Sequence, residues 1–313
     1  MLHSFVSMVS LKRRWMWLTP GVLCLAVPVV LRGQSPLVPR DRKGLELVRR
    51  SEAALINGGR LDDGVLQGHY KFVFKLMGEA YFSADAELEF AGERRSRAFI
   101  DFDSPLIIGD TEICSLDSGG ETISGWTKHN GATSDNTSIK APGQGFFANC
   151  WSAPTWFFPA MTIHSINNDQ QIAIVYEGRH SESGHDIELL RTYRLRTGID
   201  STIWQNLTVS EIQLDRKTLL PILMKFWRRG QETVPVPTSD TLSAANNPVE
   251  VRYSDYRKVE GILVPFTVNW TNHGTMLDSL SITIQTVRLN IGLGPADFVL
   301  PEKLEPKQPT PCN

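Results

Sequence analysis

Residues 248–301 read PVEVRYSDYRKVEGILVPFTVNWTNHGTMLDSLSITIQTVRLNIGLGPADFVLP, and the spacing of their apolar residues decides the fold class. Val249, Val251 and Tyr253 alternate with Glu250, Arg252 and Ser254. This period of two places one set on a buried face and the other in water. The pattern repeats: Ile262, Val264, Phe266, Val268 and Trp270 oppose Thr267 and Asn269, and Leu280, Ile282 and Ile284 oppose Ser281, Thr283 and Gln285. Turns at 258–261 and at Asn272, His273 and Gly274 carry Gly or Asn where a positive φ costs little. The stretch predicts an antiparallel meander of three strands with one apolar face and no catalytic motif.

Upstream of it, GLELVRRSEAALINGG opens at Gly44 with Leu45, Val48, Glu52 and Leu55 at helical spacing, and Gly58 and Gly59 end it. One amphipathic helix is expected there. Strands follow: Leu66, Tyr70, Phe72, Phe74 and Leu76 on one face, then Ala84, Ala86, Leu88 and Phe90, then Ala98, Ile100 and Phe102. LIIGDTEICSL and the segment from Glu121 to Lys128 continue the series. Residues 129–149 lose periodicity and read as a loop. CWSAPTWFFPAM (150–161) crowds Trp156, Phe157 and Phe158 between Pro154 and Pro159, which suits a short irregular helix acting as a plug or a lid. A second series begins at Gln171. It places Ile172, Ile174 and Tyr176, then Ile187, Leu189, Tyr193 and Leu195, then Ile203, Leu207 and Val209, on inner faces, followed by a strand from Leu220 to Trp227. A loop at 231–248 precedes the terminal meander.

Runs of strands without intervening helices exclude a doubly wound α/β fold. They predict a mainly β protein: a large antiparallel sheet of about eleven strands curled into an unclosed half-barrel, with an N-terminal helix and a short aromatic plug.

The chain has 313 residues, 41% hydrophobic and 21% charged, enough to bury a substantial core. Its 32 basic residues face 34 acidic ones, and Lys12, Arg13, Arg14 and Arg32 fall in residues 1–33, which hold no acid. Without those four, 28 basic residues remain and the net charge is −6. A mildly acidic body argues against nucleic-acid binding. The basic triplet precedes WMWLTPGVLCLAVPVVL, a run of about 17 residues broken by Pro20 and Pro28, short for a membrane span. Residues 1–33 are expected to be a cleaved signal peptide, with an uncleaved inner-membrane anchor as the alternative. Residues 34–42 then read as a linker, 43–301 as one β domain and 302–313 as a proline-rich tail. Export would leave Cys114, Cys150 and Cys312 in an oxidising compartment. Three single bridges are possible, with Cys114 to Cys150 preferred over Cys312, beside three free thiols.

Candidate chemistry is sparse. His180, Glu182, His185, Asp186 and Glu188 carry metal-ligating groups within nine residues, but their alternation suits a solvated hairpin better. Asp101 and Asp103 share the polar face of one strand. No G-x-S-x-G elbow and no phosphate-binding loop occurs. No cofactor, metal or enzymatic activity is expected.

The order of elements, the opening helix running into HYKFVF (69–74), the segment from Ile113 to Trp126, YSDYRKVEGILVPFTVNW (253–270) and the ending VRLNIGLGPADFVLP (287–301) together resemble the periplasmic lipoprotein-carrier family with the LolA/LolB-like fold. The resemblance spans most of residues 43–301 and its motifs are structural. It implies that a concave apolar face receives acyl chains of a lipid or of a lipoprotein in outer-membrane sorting, delivered and removed by membrane-bound partners in the periplasm or after secretion. The rings expected to line that face are Tyr70, Phe72, Phe74, Phe90, Phe102, Phe266 and Trp270, with Trp156 and Phe157 at its mouth. An envelope interaction or sensor domain with a filled β core and no small-molecule ligand is the alternative.

Overall fold

Strand-forming alternation dominates the computed structural model, which describes residues 38–75, 79–93, 95–103, 111–117, 122–129, 132–135, 138–139, 154–182, 184–194, 210–227, 248–272 and 277–298. The expected signal peptide, linker start, loop tip at 140–149, Cys150, Cys312, the 231–247 loop and the tail lie outside these residues, as does the side chain of Cys114. The described residues group as one compact unit.

Helix α1 runs Arg42–Leu55. The Asp41 side chain caps it by accepting from the Gly44 amide at 2.8 Å, which satisfies one of the orphan donors of the first turn. Strands β1 (Asp63–Lys75), β2 (Glu79–Ala91), β3 (Arg95–Asp103), β4 (Thr111–Asp117), β5 (Thr122–His129), β6 (Ala132–Asp135) and β7 (Ser138–Ile139) follow. Helices α2 (Pro154–Phe157) and α3 (Pro159–Asn168) interrupt the strands. The chain then resumes with β8 (Ile172–Glu182), β9 (His185–Arg194), β10 (Ser210–Asp215), β11 (Pro221–Trp227), β12 (Pro248–Val259), β13 (Ile262–Asn272) and β14 (Leu277–Leu289). A 3-10 turn, Pro295–Phe298, is the last described element.

All fourteen strands form one antiparallel sheet, in the order β6-β5-β4-β3-β2-β1-β14-β13-β12-β11-β10-β9-β8, with β7 also on β5. The first strand pairs with the last, Tyr70 opposite Ile282. Two meanders are thereby joined back to back, and β6 and β8 are the two ends of the path. The sheet is an unclosed half-barrel. One buried cluster takes Ile100 from β3, Tyr70 from β1, Trp270 from β13 and Ile174 from β8. Side chains from strands so far apart in the order meet because the sheet curls around α1, α2 and α3, whose Leu47, Phe157 and Ile163 belong to the same cluster.

The terminal meander is as its alternation predicts. Val249, Val251, Tyr253, Ile262, Val264, Val268, Leu280 and Ile282 are all buried in that cluster. Glu260 (φ 49°) and Gly261 (φ 89°) form the two-residue turn between the paired Val259 and Ile262, a geometry that matches the right-handed strand twist. Asp255, at φ 54°, stands across from Phe266 between the Ser254–Thr267 and Tyr256–Pro265 pairs, and the register is the same on either side of it. The Tyr256 hydroxyl donates to the Pro221 carbonyl at 2.6 Å.

The half-barrel is as expected, and three details differ. Among the described residues the sheet counts fourteen strands where about eleven were expected, because β6 and β7 pair with β5 inside the stretch read as a loop. A separate ten-residue helix, α3, follows the aromatic segment. In β9 the even residues Leu190 and Thr192 are buried, opposite Ile212 and Ser210; of the odd set expected inside, Ile187 is buried, whereas Leu189 and Tyr193 are only half-buried. The β10 partner fixes that parity, and both sets in β9 hold enough apolar surface to be read as the core. The strand expected around Ile203–Val209 lies outside the described residues; β10 is the later run SEIQLD.

The outer face carries cross-strand polar pairs such as Gln67–Glu87 at 2.6 Å and His69–Asp85 at 3.0 Å. The edge of β8 is covered by the segment entering α1. The Asp41 amide donates to the Ile174 carbonyl at 2.8 Å, and the Ile174 amide to the Pro39 carbonyl at 2.9 Å. Such cover removes a template for edge-to-edge pairing.

Candidate ligand-binding site

Ring stacking organises the concave face. Tyr70 stacks on Phe72 with centroids 6.2 Å apart, and Phe72 lies 5.6 Å from Phe102. Phe157, from α2, meets Tyr70 edge-on at 6.2 Å. Trp156 meets Trp270 edge-on at 6.0 Å, and Phe90 lies 4.6 Å from Phe158. Phe266 is 7% exposed, with the Arg257 guanidinium 4.4 Å over its ring. Eight of the nine expected residues thus belong to one core cluster or pack against it. Phe74 pairs with Ala80 and Leu277, and its side chain lies outside the described residues.

Two short helices close this surface, and the chain's own rings fill the space between. Burial pushes the Tyr70 and Tyr253 phenols up from their ordinary value, because an ionised ring would lose its water shell. The Trp270 Nε1 is buried without a hydrogen-bond partner among the described residues. In this covered state the aromatic segment is a plug.

Open space lies at one end of the half-barrel. A cleft of about 830 Å³ runs between α1, the turn into β1, the β2–β3 turn and α3. Ile56, Leu61, Ala91, Ala160 and Met161 give it an apolar floor. Charged side chains form the rim: Arg49 and Glu52 from α1, Arg60 and Asp62 before β1, Glu93 and Arg95 around the β2–β3 turn, and His164 from α3. Glu52 ties the two helices together, its oxygens lying 2.5 Å from His164 Nδ1 and 2.5 Å from Asn167 Nδ2. Glu93 accepts from the Ser165 hydroxyl at 2.8 Å. Arg60 pairs with Asp62.

None of the nine expected residues lines this cleft. Its residues come from helix faces and turns, where period-2 reading has nothing to detect. One signal was available for α3: Pro159 at its first turn, followed by Ala160, Ile163 and Ile166 at three-residue steps.

Among the described residues no group of His, Cys, Asp and Glu is placed to hold a metal. His180 and His185 are exposed on the β8–β9 hairpin, and Asp101 and Asp103 are exposed on β3. Glu188 is buried, and its carboxylate takes the Tyr176 hydroxyl at 2.5 Å and Arg179 Nε at 3.1 Å. The Tyr176 proton is held above its ordinary value, first by that hydrogen bond and then by burial. This is a structural pairing at the sheet end. No described helix is long and apolar enough to cross a membrane.

No protein-family model matches the chain, and no curated protein matches it. Solved structures do. A DUF1329 family protein from Desulfovibrio piger is 14% identical with a TM-score of 0.49, over 83% of this chain and 98% of its own. A LolA superfamily protein from Nitrosomonas europaea is 9% identical with a TM-score of 0.49, over 82% and 97%. A candidate outer-membrane lipoprotein-sorting domain from Vibrio parahaemolyticus is 13% identical with a TM-score of 0.48, over 82% and 96%.

Proposed function

We propose that this protein is an exported, non-enzymatic binder or carrier of a lipid or other acyl-bearing ligand. The observation that carries the reading is the cleft of about 830 Å³, whose apolar floor adjoins the core and whose rim is charged. Its size falls within the range of small-molecule sites, and an apolar floor with a few polar groups suits an amphiphile. Each methylene moved from water onto that floor gains about 0.8 kcal/mol. The sheet supports the same reading: its concave rings are covered by two short helices rather than by a second sheet, a cover that an acyl chain extending from the cleft could displace. Residues 1–33 serve export to the periplasm or beyond, by cleavage or as an inner-membrane anchor. Lipoprotein acyl chains are the finer candidate cargo, exchanged with membrane-bound donor and acceptor proteins and without nucleic acid.

A second reading has its own observation. Tyr70, Phe90 and Phe157 are each no more than 1% exposed, as in a filled β core serving envelope interaction or sensing with no small ligand. Mass spectrometry of an organic extract of the natively purified protein separates the two. Co-purifying lipid, with saturable uptake of a hydrophobic dye, is expected. An empty extract together with no dye uptake would leave the filled-core reading standing instead.

A further inference from the structure

We infer that the cleft between α1, α3 and the β2–β3 turn recognises an anionic amphiphile, its phosphate or carboxylate held by Arg49 and Arg95 and its acyl chain lying on the floor of Ile56, Leu61 and Met161. The inference rests on the reading above that an acyl chain occupies this cleft. Three acids and three arginines line it, so no net field selects the ligand; selection comes from which groups are already engaged. Glu52 is occupied by His164 and Asn167, each at 2.5 Å, and Glu93 by Ser165 at 2.8 Å. Asp62 is occupied by Arg60. The acids are committed to holding the cleft's own walls. Arg49 and Arg95 have no ion-pair or hydrogen-bond partner among the described residues, and both line the cleft.

A guanidinium presents a planar fork of donors that fits a phosphate or carboxylate in a bidentate manner. Two such forks at the rim, with an apolar floor beneath, match a ligand with an anionic head and a hydrocarbon tail.

The test is equilibrium dialysis of the purified protein with oleoyl lysophosphatidate, with monooleoyl glycerol and with inorganic phosphate. Lysophosphatidate is expected to bind at least tenfold more tightly than the neutral glyceride. Arg49→Gln and Arg95→Gln should each weaken it about tenfold and leave the glyceride unchanged. Arg49→Lys should recover only part of the loss. Equal affinity for the two lipids overturns this inference and leaves hydrophobic-ligand binding intact. Inorganic phosphate binding as tightly as lysophosphatidate would mean a free-anion site and also overturns it. Failure of both lipids to bind removes the acyl-ligand reading itself.

Discussion

Arg40 Nη2 lies 2.8 Å from the Asn167 carbonyl oxygen in the last turn of α3. The same nitrogen reaches the Ile166 carbonyl at 3.0 Å, and Nη1 reaches that of Asp169 at 3.0 Å. A cation from the segment entering α1 therefore closes the end of α3, where carbonyls lack helical partners and the dipole favours positive charge. Arg40→Ala should cost about 2–3 kcal/mol, since hydrogen bonds involving a charged group are worth more than neutral ones and this one is half-buried. Arg40→Lys should recover a minority of that, because an ammonium cannot span three carbonyls. Urea denaturation of the three proteins measures both values.

Phe157 pins α2 to β1 through its edge contact with Tyr70. Truncating it leaves a cavity that neighbouring rings cannot collapse into without losing their own contacts. Phe157→Ala should lower stability by about 3–5 kcal/mol, read by differential scanning calorimetry. A loss below about 1 kcal/mol would show that the plug packs far more loosely than its burial indicates.

Gly64 sits where β1 enters the seam between the two meanders. A Cβ there would lie 2.6 Å from the Arg288 carbonyl oxygen and 2.9 Å from the Phe90 ring. Backbone is the closest neighbour and cannot rotate away, so Gly64→Ala should cost about 3 kcal/mol. Gly294, whose Cβ would meet nothing within 4 Å, is the matched control, and Gly294→Ala should stay within about 0.5 kcal/mol of the parent.

Asp215 supplies a pH dependence. Burial raises its carboxyl, but hydrogen bonds from the Thr218 amide and hydroxyl and the Lys217 amide outweigh it and hold the pKa below its ordinary 3.8. These bonds measure 2.7, 2.8 and 3.1 Å. A carboxyl depressed in the fold adds stability that is complete above its unfolded pKa and is lost as pH falls through the folded value. Asp215→Ala should therefore melt below the parent at pH 7, with the gap narrowing as pH drops below about 4. Melting curves taken in steps from pH 7 to pH 2.5 follow it, and a gap that does not narrow would place the stabilisation elsewhere.

Alternation of apolar and polar residues fixed the β class and the inner face of the strongest strands. The residues from Ile262 to Trp270 that it placed inward are all at most 7% exposed. It could do so because a pleat turns neighbouring side chains to opposite sides wherever the strand lies. It also marked the helix ahead of β1 and the aromatic segment between prolines. Pairing is not local, so the sequence alone was silent on β1 lying beside β14, on the even face of β9 and on β6 and β7 inside an aperiodic stretch. The cleft is further removed still: Glu52 and His164 stand 112 positions apart, and only the curling of one sheet around three helices brings their elements together and leaves a space between them.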